Sequence, residues 1–151
     1  ILACRFEHFV SVCRMLSRQN RPVEFTGGLE ASRFTENHAW VLRKLNPRQI
    51  FFAYDTPGDR EPLVHAAALC KKHGLLKNGH NIRAYVLIGF KGDTKEKAES
   101  RLRFVCSLGI MPMAMLYRNK DGPLFPDWRK FQREWANPVI LGSKMREFKN
   151  V

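Results

Sequence analysis

NIRAYVLIGFKGDTK, residues 81–95, decides the fold. Its β-branched and aromatic residues Ile82, Tyr85, Val86, Leu87 and Ile88 run up to Gly89 and Gly92, and a helix-start signal follows at Asp93. The apolar residues are continuous where a half-exposed strand would alternate, so the stretch reads as a strand buried on both faces. Glycines at its carboxyl end let the backbone turn sharply and come close to a small ligand. Strands of parallel α/β sheets and barrels deliver residues to a ligand site in this way.

The same unit recurs on either side. Phe6, Phe9, Val10, Cys13 and Leu16 are spaced three and four apart and predict an amphipathic helix between Cys4 and Asn20. Val23 to Thr26 is a short strand that runs into Gly27 and Gly28. Thr35 is a good N-cap, with Glu36 in the first turn of a helix that Asn46-Pro47 ends. Gln49 to Tyr54 is a continuous apolar strand closed by Asp55-Thr56-Pro57-Gly58, and Glu61 to Leu75 is a helix with small alanines. After the central strand, Asp93-Thr94-Lys95-Glu96 resembles a capping box with aspartate as the cap, opening a helix that runs to Gly109. Met111 to Tyr117 is the fourth strand.

Strand centres recur about every 30 residues, the length of a βαβ crossover with its helix. The expectation is an α/β fold with a parallel sheet of about four βα units, covered on both faces. A closed eightfold barrel takes about 250 residues, so the choice lies between an open sheet and part of a barrel. Residues 1–122 make up that part. Residues 123–151 differ in character: Trp128, Phe131, Gln132 and Trp135 share one face of a helix that Asn137-Pro138 ends. That helix is either a cover across a sheet edge or barrel bottom, or a stacking platform for bases. Beyond Leu141 the end is polar and basic, and is expected to be loose.

Composition narrows the classes. The 151 residues carry a formal net charge of +12, only partly clustered, which fits a solvated basic surface and leaves nucleic acid open as a partner. The sequence has no uncharged apolar run long enough to span a membrane. Cys4, Cys13, Cys70 and Cys106 are widely spaced within helical patterns, and no Cys-x-x-Cys pair suggests zinc or iron–sulfur ligation. Free thiols point to a reducing compartment, with the cytoplasm as the default. His8, His38, His65, His73 and His80 form no metal spacing. The chain meets Glu7 too early for a signal peptide, and because it opens on Ile1 and not on methionine it reads as a piece of a longer protein.

The predicted strand ends carry Gly27, Gly28, Glu30 and Arg33; Tyr54, Asp55 and Thr56; Gly89, Lys91, Gly92 and Asp93; and Tyr117, Arg118 and Asp121. Together they offer carboxylates for hydroxyls, amines or a metal, glycines for close approach and an arginine for an anion. Each also has a structural use. Asp93 suits a helix cap, Asp55 a turn, Gly27-Gly28 a tight bend, and Glu30 a surface pair with Arg33.

VEFTGGLEASRF, QIFFAYDTP, IRAYVLIGFKGDT and MPMAMLYR resemble the later strands and loops of the partial (β/α)6 barrel of the radical S-adenosylmethionine enzymes, over roughly residues 22–118. The resemblance implies that Leu87, Ile88 and Gly89 lie along the adenine of S-adenosylmethionine. It also implies that Tyr54, Asp55 and Thr56 contact its ribose or methionine part, and that Glu30, Arg33 and Arg118 face the same cavity. The family's glycine-rich pattern would place a glycine at Tyr85 and an acid at Gly92, and here the acid follows as Asp93. Its Cys-x-x-x-Cys-x-x-Cys loop, which holds the [4Fe-4S] cluster that cleaves the cofactor to a 5′-deoxyadenosyl radical, is not in the chain. The chain would then be the carboxyl-terminal part of such an enzyme and unable to generate a radical alone. Its first strand would be a bare edge, open to dimerisation or domain swapping. Two other classes stay in view: a basic nucleic-acid-binding module using the Trp128–Trp135 helix, and a metal-dependent barrel enzyme using Glu30 and Asp55.

Overall fold

The computed structural model describes residues 1–77, 80–119, 122–123 and 127–149. Helix α1 (Phe6–Leu16) precedes strand β1 (Glu24–Leu29), and helix α2 (Glu36–Leu45) leads to β2 (Gln49–Tyr54). Helix α3 (Arg60–Lys72), β3 (Ile82–Ile88), α4 (Lys95–Ser107) and β4 (Met111–Leu116) continue the alternation. A hairpin of β5 (Arg118–Asn119) and β6 (Gly122–Pro123) follows, then α5 (Trp128–Ala136) and α6 (Pro138–Lys149).

The four long strands form one sheet in the order β1-β2-β3-β4, all parallel. Because the order never reverses, right-handed crossovers carry successive helices to the same side. Contacts agree. Phe34, at the start of the α2 unit, meets Phe52 edge-on at 5.2 Å, and Phe104 of α4 meets Tyr54 at 5.9 Å. Phe52 and Tyr54 point the same way, and Ile50, Ile82, Ala84, Val86 and Ile88 join them in the core. Helix α1 forms a further layer over α2, where Phe9 and Phe6 pack edge-on against His38.

The opposite face is open, which corrects the expectation of a strand and a sheet covered on both sides. Residues of β3 alternate between buried and half-exposed, so Arg83, Tyr85 and Leu87 face outward while their neighbours are enclosed. Ala53 and Met113 lie beside Tyr85 on that face, and Met115 is 41% exposed. Parallel sheets normally have both faces covered, and here helices cover only one. Among the described residues the four strands do not close into a barrel.

Two boundaries differ from the sequence reading. β1 extends through the glycine pair to Leu29, and its register with β2 shifts between Phe25 and Leu29, so the glycines form a bulge within the strand. Gly28 supplies the positive φ of 71° that such a bulge needs. At the other end, Pro138 stops α5 but starts α6, since proline is well suited to a first helical position. The segment after Leu141 is therefore helical rather than loose, and Leu141 itself reaches the core.

Helix α5 runs along β4. Its Gln132 amide donates to the Ala114 carbonyl at 3.3 Å, and Trp128 and Trp135 are 5% and 1% exposed. The helix is thus a cover, and its tryptophans are not free to stack on bases.

Candidate functional site

Parallel order places every strand exit on one rim. Leu29 pairs with Phe52, Tyr54 with Val86, and Ile88 with Leu116, so Glu30, Asp55, Gly89 and Tyr117 each begin a loop at the same end of the sheet. The Tyr117 amide still donates to the Ile88 carbonyl at 2.8 Å, and Arg118 leads from there into the hairpin with its side chain exposed. Asp121 lies outside the described residues.

Glu30 accepts from Arg33 at 2.7 Å and from the Ser32 hydroxyl at 3.0 Å. These bonds hold its carboxyl below the usual carboxylate range. The next exit is ordered by Asp59, not by Asp55. One oxygen of Asp59 accepts the backbone N–H groups of Asp55 and Thr56 at 3.0 and 2.8 Å, and the Thr56 hydroxyl at 3.0 Å. Asp55 keeps its carboxyl free for the rim, and partial burial followed by the nearby Asp59 charge pushes it above the ordinary value. Carboxylates at these two exits can accept hydrogen bonds from a ligand amine or hydroxyl.

Of the residues that the resemblance implies, Glu30, Arg33, Asp55, Thr56, Leu87 and Arg118 are on the rim or the open face. Tyr54 and Ile88 are not. At 3% and 0% exposed they point into the helix layer, because a two-residue period sends them opposite to Leu87. Gly89 is close to protein instead of open space. A methyl group there would lie 2.7 Å from Leu116 Cδ1 and 3.2 Å from Trp128, and φ is +71°.

Asp93 is not the helix cap. Thr94 caps α4 by accepting the Lys97 amide, while Asp93 turns back to accept the Gly89 N–H at 2.9 Å and an Arg101 donor at 2.7 Å. Arg101 also donates to the Leu87 carbonyl at 3.0 Å, so one enclosed ion pair fixes the exit of β3.

Tyr85 is the residue that strand patterning missed. Its ring stacks on Phe51 at 4.7 Å, passes over the small Ala53 and covers Gly28, and its hydroxyl donates to the Thr26 carbonyl at 2.9 Å. The side chain therefore spans the open face from β3 to the bulge of β1. A large aromatic on β3, a small residue at the paired position of β2 and a glycine pair on β1 were the available signal.

A groove of about 470 Å³ runs along β1, lined by residues 1–3 and 24–30. It marks the free edge of the sheet. Cys13, Cys70 and Cys106 lie in the helix layers, away from the rim, and burial pushes their thiols up to about 11, 12 and 11. Cys13, Cys70 and Cys106 stand on three separate helices, so these three do not make a [4Fe-4S] site. Among the described residues, no three His, Cys, Asp or Glu side chains gather closely enough to hold a metal ion. Also among them, no helix is long and apolar enough to cross a membrane.

No family model, curated protein or solved structure matches the chain.

Proposed function

We propose that this chain is the carboxyl-terminal part of the barrel of a radical S-adenosylmethionine enzyme, and that its open sheet face is one wall of the cofactor and substrate cavity. One observation carries the reading. Four parallel strands in sequential order keep their helices on one side and leave Tyr85, Leu87, Met113 and Met115 of the other face half-buried or exposed, with all four exits on one rim. A doubly wound sheet would have filled that face with helices.

On this reading Asp55 and Glu30 hold hydroxyl or amine groups of S-adenosylmethionine, Thr56 orients the loop that carries Asp55, and Leu87 lies against the adenine. Arg118 and Arg33 supply positive charge for an anionic group. Tyr85 occupies the floor of the wall. When bound, the cofactor and a cluster held elsewhere would supply the radical chemistry, and this chain would contribute binding, orientation and exclusion of water. On this reading the cluster ligands come from another segment, since the chain has no Cys-x-x-x-Cys-x-x-Cys loop. The free thiols agree with a reducing compartment, the cytoplasm.

The test is to read the coding sequence that adjoins Ile1. A Cys-x-x-x-Cys-x-x-Cys segment in frame upstream is the expected result. An upstream frame without one overturns the assignment. A titration of the chain with S-adenosylhomocysteine adds a direct measurement, in which Leu87 and Tyr85 resonances should move and Asp55→Asn should weaken binding.

A further inference from the structure

We propose that the furrow between α1 and α2 docks an acidic amphipathic helix of another protein. Val10, Cys13, Val41 and Leu45 floor a cavity of about 300 Å³, and Arg14 and Lys44 stand beside them. Residues 10, 13 and 14 of α1, Ser17 just after it, and residues 40, 41, 44 and 45 of α2 recur at helical spacing, so the cavity is a trough between two helices. A third helix laid into such a trough is a recurring mode of recognition.

Trp40 stands at this trough and is 52% exposed, whereas Trp128 and Trp135 are buried. An exposed tryptophan beside an apolar floor is the side chain that most often anchors a protein interface.

Charge selects the occupant. Among the described residues, neither Arg14 nor Lys44 pairs with a carboxylate, while Arg33, Arg48, Lys72, Arg101 and Arg103 all do. The acids of the two helices, Glu7 and Glu36, sit in their first turns, and Glu36 is held by Lys72 and His73. The trough is therefore apolar along its floor and cationic beside it. Its complement presents apolar side chains three and four apart with carboxylates flanking them. The Lys44 ammonium lies 3.6 Å from the centre of the Trp40 ring and occupies one face of it. A helix with carboxylates draws that ammonium outward and leaves the ring for apolar contact. The proposal stands apart from the assignment of the open sheet face.

The experiment uses the full chain and three probes: a labelled peptide with leucines at i, i+3, i+4 and i+7 and glutamates between them, the same peptide with lysines for glutamates, and an oligo(dT) strand. Anisotropy reports binding, and acrylamide quenching reports Trp40, the exposed tryptophan. The expected result is binding of the glutamate peptide alone, with Trp40 protected. Arg14→Glu combined with Lys44→Glu should weaken it at least tenfold while circular dichroism stays unchanged. Equal binding of the lysine peptide, an unaffected double variant, no binding at all, or displacement of the peptide by oligo(dT) overturns the proposal.

Discussion

Asp93 and Arg101 form an ion pair of 2.7 Å in which the aspartate side chain is fully enclosed and the arginine is 18% exposed. The pair joins the exit of β3 to the first half of α4, since Asp93 also binds the Gly89 amide and Arg101 the Leu87 carbonyl. Removing one partner leaves an uncompensated charge in a low-dielectric site. Arg101→Met is therefore expected to cost about 3–5 kcal/mol, measured by urea denaturation. A loss below 1 kcal/mol would show that water reaches the carboxylate.

Gly89 and Gly27 separate packing from mere flexibility. Alanine at 89 meets Leu116 and Trp128 and must hold a left-handed backbone, whereas alanine at 27 has nothing within 4 Å. Gly89→Ala should destabilise by about 2–4 kcal/mol from overpacking and strain together. Gly27→Ala should stay within about 0.5 kcal/mol of the parent. Thermal melts of both variants decide it, and equal melting temperatures would refute the close approach at 89.

His38 links folding to pH. Its Nδ1 accepts the Thr35 backbone N–H at 3.2 Å, and burial holds the imidazole below its usual value of 6.5. The unfolded chain then binds a proton more readily than the folded one. The stability contributed by neutral His38 is complete above 6.5 and falls away as pH drops through that value toward the lower folded one. Urea midpoints taken from pH 8 to pH 5 should decline. His38→Gln, which keeps an acceptor at this position of the capping box, should flatten that slope, and an unchanged slope would assign the effect elsewhere.

The free edge of β1 predicts self-association. Unpaired backbone along an exposed strand is a template for another strand, and a groove of about 470 Å³ leaves room for one. Light scattering should show mass rising above 17.6 kDa with concentration. Thr26→Lys, a charge on the exposed part of the edge, should suppress the rise. A parent chain that stays monomeric at every concentration refutes the idea.

Strand and helix order were legible because β-branched runs and helical spacing follow from backbone sterics. The one-sidedness was not. Tyr85, Leu87 and Met113 are apolar yet only half-buried on the open side, so continuity of apolar residues imitated burial on two faces. Placement of Glu30, Asp55 and Arg118 on one rim followed from parallel order alone. Tyr54 and Ile88 turn to the helix side because the two-residue alternation separates each from its neighbour at a strand end. Arg101 escaped notice because its partner stands eight residues earlier, across the start of a helix, where no local pattern ties the two.

Tyr85 is rooted in β3 and moored at Thr26, 59 residues earlier in the chain. A molecule that seats itself along the outermost strand and tugs that carbonyl also shifts the phenol. The ring then reports at the middle of the wall on an event at its margin.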